Sequence, residues 1–217
     1  MVSLDAIPAL RSLSGTALAT VSRQARPVRL PAGAVLRPAG TRADGVVLLL
    51  AGSVVAAHAA SSGVEVWPER WVGPALVDKA AVLAGGRSST ALVATTAVTA
   101  RLLPRQPFLR LLATEPSVRQ HVLGQLARDV LSGQRQLAQA VTLPAVARVA
   151  AWLVAQDAAD QVAWRGSQDQ LARMLGLSRV TVNRSLARLA GAGVVRLTPR
   201  GIVVADRTGL ASFTSDA

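Results

Sequence analysis

The sequence has no cysteine, no tyrosine and a single lysine, and only 3% of its 217 residues are aromatic. Without cysteine there can be no disulfide, thiol switch, thiolate zinc site or cysteine-ligated iron–sulfur cluster. The core must be built from Leu, Val and Ala. Only two histidines are present, His58 and His121. A lone histidine in a strand or on a long helix reads as structural rather than as a haem ligand, and no spacing suggests a metal site. There is no Walker loop, no dinucleotide fingerprint and no nucleophile–base constellation, which argues against an enzyme. Long apolar runs are missing too. The most apolar stretch, Gly45 to Ala60, is broken by Gly52, Ser53 and His58 and cannot span a bilayer. The segment Met1 to Asp5 lacks the basic start and apolar run of a signal peptide. The expectation is a soluble cytoplasmic protein with no membrane partner, no metal and no cofactor.

What is present is apolar bulk and arginine. Hydrophobic residues make up 51% of the chain, charged residues 17%, and the formal net charge is +12. An excess of this size favours a polyanionic partner, nucleic acid first. A bias of composition toward Arg would give the same charge with no partner at all. Residues 1–147 hold 15 basic and 7 acidic side chains, and residues 148–217 hold 9 and 5. The excess is therefore spread along the chain.

Three textures follow one another. Leu4 to Ala25 reads as helical with a possible break at Gly15. From Pro27 short apolar runs alternate with turn residues: Val28–Leu30, Ala34–Leu36, Val46–Leu50, Ser53–His58, Val64–Val66, Thr90–Ala94 and Val98–Leu103. Short strands with glycine turns at this spacing predict a small β-sandwich or barrel. After Pro107 the period becomes helical. A short helix is expected over Phe108–Thr114 and a long one from Ser117, as N-cap, to about Ala140. On the long helix Val118, Val122, Leu126, Val130 and Leu137 fall near one face, with Leu123 and Leu131 beside them. That stripe predicts a dimer seam, although Gly124 and Gly133 weaken it; an ordinary helix packed on its own domain has a similar pattern. Pro144 interrupts the run, Ala145–Gln156 is again helical, and Asp157–Arg165 reads as a polar connection. The implied domains are 1–116, a long helix and hinge over 117–143, and 144–217.

Residues 167–190, SQDQLARMLGLSRVTVNRSLARLA, are the most informative segment. Ser167 and Gln170 have capping-box spacing. Leu171 and Leu175 share a face, Ala172 permits close approach, and Gly176 suits a tight turn between helices. Ser178 can cap a second helix whose inner face is Val182, Leu186 and Leu189. Arg179, Val180, Thr181, Asn183 and Arg184 then face outward or lie in its first turn. In a helix-turn-helix those positions meet the DNA major groove. Arginine can bond guanine O6 and N7, and Asn and Thr can bond adenine or phosphate. Beyond Gly191 and Gly193, Val194–Leu197 and Ile202–Ala205 form a hairpin around Thr198 to Gly201. This wing puts Arg200 at its tip, within reach of a phosphate.

In that order of features the chain resembles the Crp/Fnr family of bacterial transcription regulators, over nearly its whole length. The stretch LPAGAVLRPAGTRADGVVLLLAGSV (residues 30–54), with Gly33, Gly40 and Gly52, carries the N-terminal part of the likeness. The resemblance implies an α+β protein: a cyclic-nucleotide-binding-like β-roll (jelly roll), a long dimerisation helix and a C-terminal winged helix-turn-helix. It implies a homodimer on a pseudo-palindromic double-stranded DNA site. Arg179 and Arg184 match the family's base-reading arginines, and Ser167, Ser178 and Thr181 match phosphate-contacting positions. Many relatives carry Glu where this chain has Val180. Valine cannot accept from cytosine but can contact a thymine methyl, so a different base pair is expected there.

The effector pocket departs from the family pattern. Relatives that bind cyclic nucleotides carry Gly-Glu, a short loop, then Arg-Ser or Arg-Thr; the Glu grips the ribose hydroxyl and the Arg the cyclic phosphate. Here Asp78 and Lys79 stand in place of Gly-Glu, and Arg87, Ser88 and Ser89 fit the phosphate side. An alternative alignment through Gly73-Pro74 supplies no acceptor either. Gln134 lies, with Gly133, where relatives place hydroxyls against the base. Cyclic AMP in the usual mode is not expected; two alternatives stay open, an unknown effector, anionic given Lys79 and Arg87, or none. The competing readings are an allosterically switched small-molecule-responsive regulator and a ligand-binding module that contacts protein instead of DNA. Activation would further require a contact with RNA polymerase.

Overall fold

The computed structural model describes residues 3–59, 65–156, 162–164, 166–199 and 201–214. The chain folds as two compact units, Met1–Val130 and Leu131–Ala217.

The first unit opens with two 3-10 turns, Leu4–Ala6 and Pro8–Leu10, followed by α1 (Gly15–Gln24). One broken helix from Leu4 was the expectation. Pro8 lacks the N–H that a continuous helix needs. Ser14 accepts from the Ala17 N–H at 3.2 Å and caps α1, so Gly15 begins the helix instead of breaking it.

Eight strands follow: β1 (Arg26–Leu30), β2 (Val35–Arg37), β3 (Gly45–Ala51), β4 (Ser53–Ala59), β5 (Glu65–Val72), β6 (Ala75–Val77), β7 (Ala91–Ala94) and β8 (Val98–Pro104). They form two antiparallel sheets in the orders β1-β8-β3-β6 and β2-β7-β4-β5. Strand β3 explains the apolar run in the sequence. Val47 and Leu49 point into the sandwich, against Val54, Leu92 and Val98. Val46, Leu48 and Leu50 point the other way, into a second core with Ile7, Leu10, Phe108 and Val118. Alternate residues of one strand thus serve two cores. Strand β6 and the helix α2 (Lys79–Ala84) were not anticipated, because three and six residues are too few to show a period.

Helix α3 (Arg105–Thr114) starts earlier than expected, with Pro107 in its first turn, where a missing N–H costs nothing. Helix α4 (Pro116–Thr142) carries the chain from the first unit into the second. Its first residue is Pro116, which suits that position; Ser117 lies inside the helix and is not its cap. The single stripe expected on α4 proves to be two. Val118 and Val122 are buried and Leu126 is partly buried, all packed in the first unit's core. Leu123, Val130, Leu131, Leu137 and Val141 are exposed. No helix among the described residues is long and apolar enough to cross a membrane.

The second unit comprises α5 (Ala145–Ala155), β9 (Val162–Trp164), α6 (Gln168–Leu175), α7 (Arg179–Gly191), β10 (Val195–Thr198), β11 (Gly201–Val204) and α8 (Arg207–Ser212). Leu153, Leu171, Val182, Leu186, Leu189 and Leu210 are fully buried at its centre. Strand β9 falls where a polar connection was expected; it joins the wing as the third strand, in the order β10-β11-β9. The ring of Trp164 meets Trp152 edge to face at 5.2 Å, tying β9 to α5.

Candidate functional site

The turn between α6 and α7 is built by local hydrogen bonds. Ser167 accepts from the Gln170 N–H at 3.1 Å, and the Gln170 side chain accepts from the Ser167 N–H at 3.1 Å, completing a capping box. Gly176 ends α6 at φ +61°, a left-handed conformation that a side chain would strain. Arg148 of α5 donates to the Leu175 carbonyl and holds the end of α6 in place. Ser178 accepts from the Thr181 N–H at 3.0 Å and caps α7. The hydroxyls of Ser178 and Thr181 are 2.8 Å apart and bond one another. A capping serine uses only an acceptor lone pair. The Ser167 hydroxyl proton therefore remains able to donate to a phosphate oxygen.

Helix α7 separates its residues cleanly. Val182, Leu186 and Leu189 are buried, as expected, and Ser185 is buried with its hydroxyl donating to the Thr181 carbonyl at 2.8 Å. Arg179, Val180, Asn183 and Arg184 are exposed on the opposite side; Thr181 is partly exposed. Val180 is 66% exposed, an apolar side chain left mostly in solvent. The structure therefore brings Ser178, Arg179, Val180, Thr181, Asn183 and Arg184 together on one helix start. Two further exposed arginines escaped the sequence reading: Arg188, one turn beyond Arg184, and Arg196 on β10. Spacing by four from Arg184 could have flagged the first. Thr198 pairs with Gly201 across the wing. Arg200 lies outside the described residues.

In the first unit a cavity of about 360 Å³ is lined by Lys79, Arg87, Ser88 and Ser89. Glu69 and Trp71 from β5 also line it and were not foreseen. Gln134 is exposed on α4 and is not among the lining residues. Arg87 is exposed and donates to the Gly40 carbonyl at 2.8 Å.

Two departures from expectation concern the start of α2, its N-cap Asp78 and its first residue Lys79. Asp78 adopts φ +66°, the left-handed conformation for which glycine is the easy choice. Asp is among the few other residues that tolerate it, and Arg37 fixes it there through bonds of 2.8 and 3.2 Å to its two carboxylate oxygens. Burial pushes the Asp78 carboxyl above its ordinary value, and the bonds from Arg37 pull it back. Lys79 is no open cation for an anionic effector. Its ammonium is 2.9 Å from Asp129 of α4, and its side chain is 5% exposed.

Comparison with known proteins agrees with this geometry. Residues 147–213 match the Crp-like helix-turn-helix domain. The chain is 25% identical, over 205 residues, to the CRP-like cAMP-activated global transcriptional regulator of Mycobacterium tuberculosis, covering 90% of this chain and 91% of the relative. Its fold is similar to that of FixK2 from Bradyrhizobium japonicum (TM-score 0.74, 19% identity, covering 89% of this chain and 98% of the other). It is also similar to a CooA variant from Carboxydothermus hydrogenoformans (TM-score 0.77, 19% identity, 96% and 95% covered). A helix-turn-helix with one face exposed, a domain match over that same stretch and a β-roll ahead of it agree: residues 147–213 form a Crp-like helix-turn-helix domain, in a chain whose fold is similar to that of Crp/Fnr regulators over most of its length.

Proposed function

We propose that the chain acts as a homodimer on a pseudo-palindromic DNA site, reading each half-site with α7 in the major groove. The exposed cluster Arg179, Val180, Asn183 and Arg184 at the capped start of α7 carries this reading. Helix N-termini attract phosphate, and exposed arginines at that position can bond guanine edges bidentately. Arg179 and Arg184 read guanine, and Asn183 bonds adenine or phosphate. Val180 meets a thymine methyl. Ser167 donates to a phosphate, as does whichever of Ser178 and Thr181 keeps its proton outside their mutual bond, and Arg200 adds a further phosphate contact.

The dimer contact is the second stripe of α4. Leu123, Val130 and Leu137 recur at seven-residue spacing and are 56–68% exposed together with Leu131, a heptad seam left uncovered among the described residues. On this reading residues 1–116 form the β-roll domain, 117–143 the dimerisation helix and hinge, and 144–217 the DNA-binding domain. The M. tuberculosis relative is named as cAMP-activated. In this chain a lysine already bonded to Asp129 stands where the ribose acceptor is expected, so cyclic AMP is not the effector in that mode.

The test is a DNA selection at controlled salt with the purified full chain and its Leu137→Asp variant. The wild type enriches a two-fold-symmetric sequence, with affinity falling steeply as salt rises. The variant is monomeric and enriches at most a half-site. Failure of the wild type to enrich any sequence would remove the reading.

A further inference from the structure

Lys79 is the chain's only lysine and is 4% exposed, on the wall of the first unit's cavity. A buried ammonium is costly unless paired and hydrogen-bonded. Its partner is Asp129, at 2.9 Å. The other Asp129 oxygen accepts from the Gln125 amide at 2.8 Å, and the Gln125 carbonyl oxygen accepts from Arg128 at 3.0 Å. The carboxylate is thus oriented by its own helix before it meets the lysine.

The position of Asp129 gives the pair its consequence. On α4 it continues the inward face of Val118, Val122 and Leu126, at the helical spacings of four and three. Val118 and Val122 are the buried residues of α4. Asp129 is the last of its residues in the first unit but one, and Val130 and Leu131 beyond it are exposed. Among the described residues the ion pair is therefore the last fixed point of α4 on the first unit, and its lysine lies on the cavity wall.

We propose that Asp129 is a built-in ligand for Lys79: α4 supplies the carboxylate that holds α2, so the DNA-binding form is set by this ion pair and not by a cyclic nucleotide. The proposal rests on the DNA-binding reading above. Protein atoms alone clamp α2 to the root of the dimerisation seam. A carboxylate tethered on a rigid helix needs no concentration to bind.

Two measurements on the full chain test it. The single lysine gives one side-chain ammonium signal by nitrogen-15 NMR. In the wild type that signal is protected from solvent exchange, and in Asp129→Asn the protection is lost. DNA affinity is then measured without added nucleotide for the wild type, Lys79→Met, Asp129→Asn and the exchanged pair Lys79→Asp/Asp129→Lys. Circular dichroism and thermal melting establish that each is folded. The single variants lose roughly 5- to 150-fold in affinity, the range of ordinary coupling between sites. The exchanged pair recovers most of it, and cyclic AMP rescues neither single variant. Folded single variants that bind DNA as tightly as the wild type would overturn the proposal, as would a wild type that binds only with cyclic AMP. A protected ammonium signal in a wild type that binds no DNA under any condition would leave the ion pair standing while removing both its regulatory role and the DNA reading. A fast-exchanging signal in a DNA-binding wild type would remove the ion pair alone.

Discussion

The two units spend their cations differently. In the first, Arg37 ends on Asp78, Lys79 on Asp129, Arg101 on the Ser22 and Ala25 carbonyls at 2.7 and 2.8 Å, and Arg105 on the Val82 carbonyl at 3.0 Å. In the second, Arg148 and Arg207 brace the helices in the same way. Arg179, Arg184 and Arg188, by contrast, stand exposed along α7 with no protein acceptor among the described residues. Net charge alone did not distinguish these groups, since basic residues exceed acidic ones in both parts of the sequence. What separates them is whether protein oxygen has already claimed the charge. A cation held by the fold is architecture; one left outside it is available to a polyanion.

Substituting one member of each class sets the comparison to its hardest test. Arg37→Ala leaves the Asp78 carboxylate buried without its partner and removes the donor to the Thr90 carbonyl at 2.9 Å. Breaking a buried pair from one side costs about 3–5 kcal/mol. The loss belongs to the first unit, where Trp67 and Trp71 lie, and not to the second, which holds Trp152 and Trp164. Denaturant titrations on single-tryptophan versions of the chain separate the two transitions. An equal shift in both would show that the units unfold as one.

Arg184→Ala and Arg179→Ala should behave in the opposite way. Each costs about 1–3 kcal/mol of specific DNA affinity and relaxes base preference at one half-site position. Folding stability stays within about 0.5 kcal/mol, as for other exposed sites. The readout is affinity for the selected site against a scrambled one, paired with a melting curve. A variant that loses stability and keeps affinity would move its arginine into the architectural class.

The same contrast explains what could be read in the sequence. The helix-turn-helix was legible because its determinants are local: Ser167 with Gln170, Gly176, and Ser178 with Thr181 all lie within a few residues of their partners. The β-roll was legible as alternating apolar runs. The cavity was not. Arg37 and Asp78 are 41 residues apart, and nothing in either neighbourhood announces the other. Lys79 read as an open cation because Asp129 comes to it from a different element. The stripe on α4 read as one face because Val118 and Val130 differ in what covers them, a fact of tertiary packing that periodicity cannot express. The wing's third strand, β9, was missed for the same reason: it is three residues long and its pairing with β11 is made across the intervening helices.

The smallest effect sharpens the comparison at the cavity itself. Glu69 is a second carboxylate near Lys79. Burial, chiefly, and the nearby Asp129 and Asp78 carboxylates push its carboxyl above the ordinary 4.5, while Lys79 pulls it down. A raised carboxyl favours the protonated form in the fold. Its contribution to stability is complete below pH 4.5 and is lost as pH rises through the folded value. Glu69→Gln should therefore be the more stable protein at neutral pH, and the advantage should disappear below pH 4.5. Its carboxyl is crowded at the cavity while the residue as a whole still reaches solvent, so screening keeps the difference small. Denaturant midpoints for both proteins at pH 7 and pH 4 measure it. Adding Lys79→Met to both removes the attraction that holds the Glu69 carboxyl down, and the neutral-pH advantage of Gln should then grow. If Gln is instead the less stable protein at pH 7, Glu69 is a net partner of the ammonium. Lys79 would then be shared between two carboxylates, and Asp129 alone would not account for its burial.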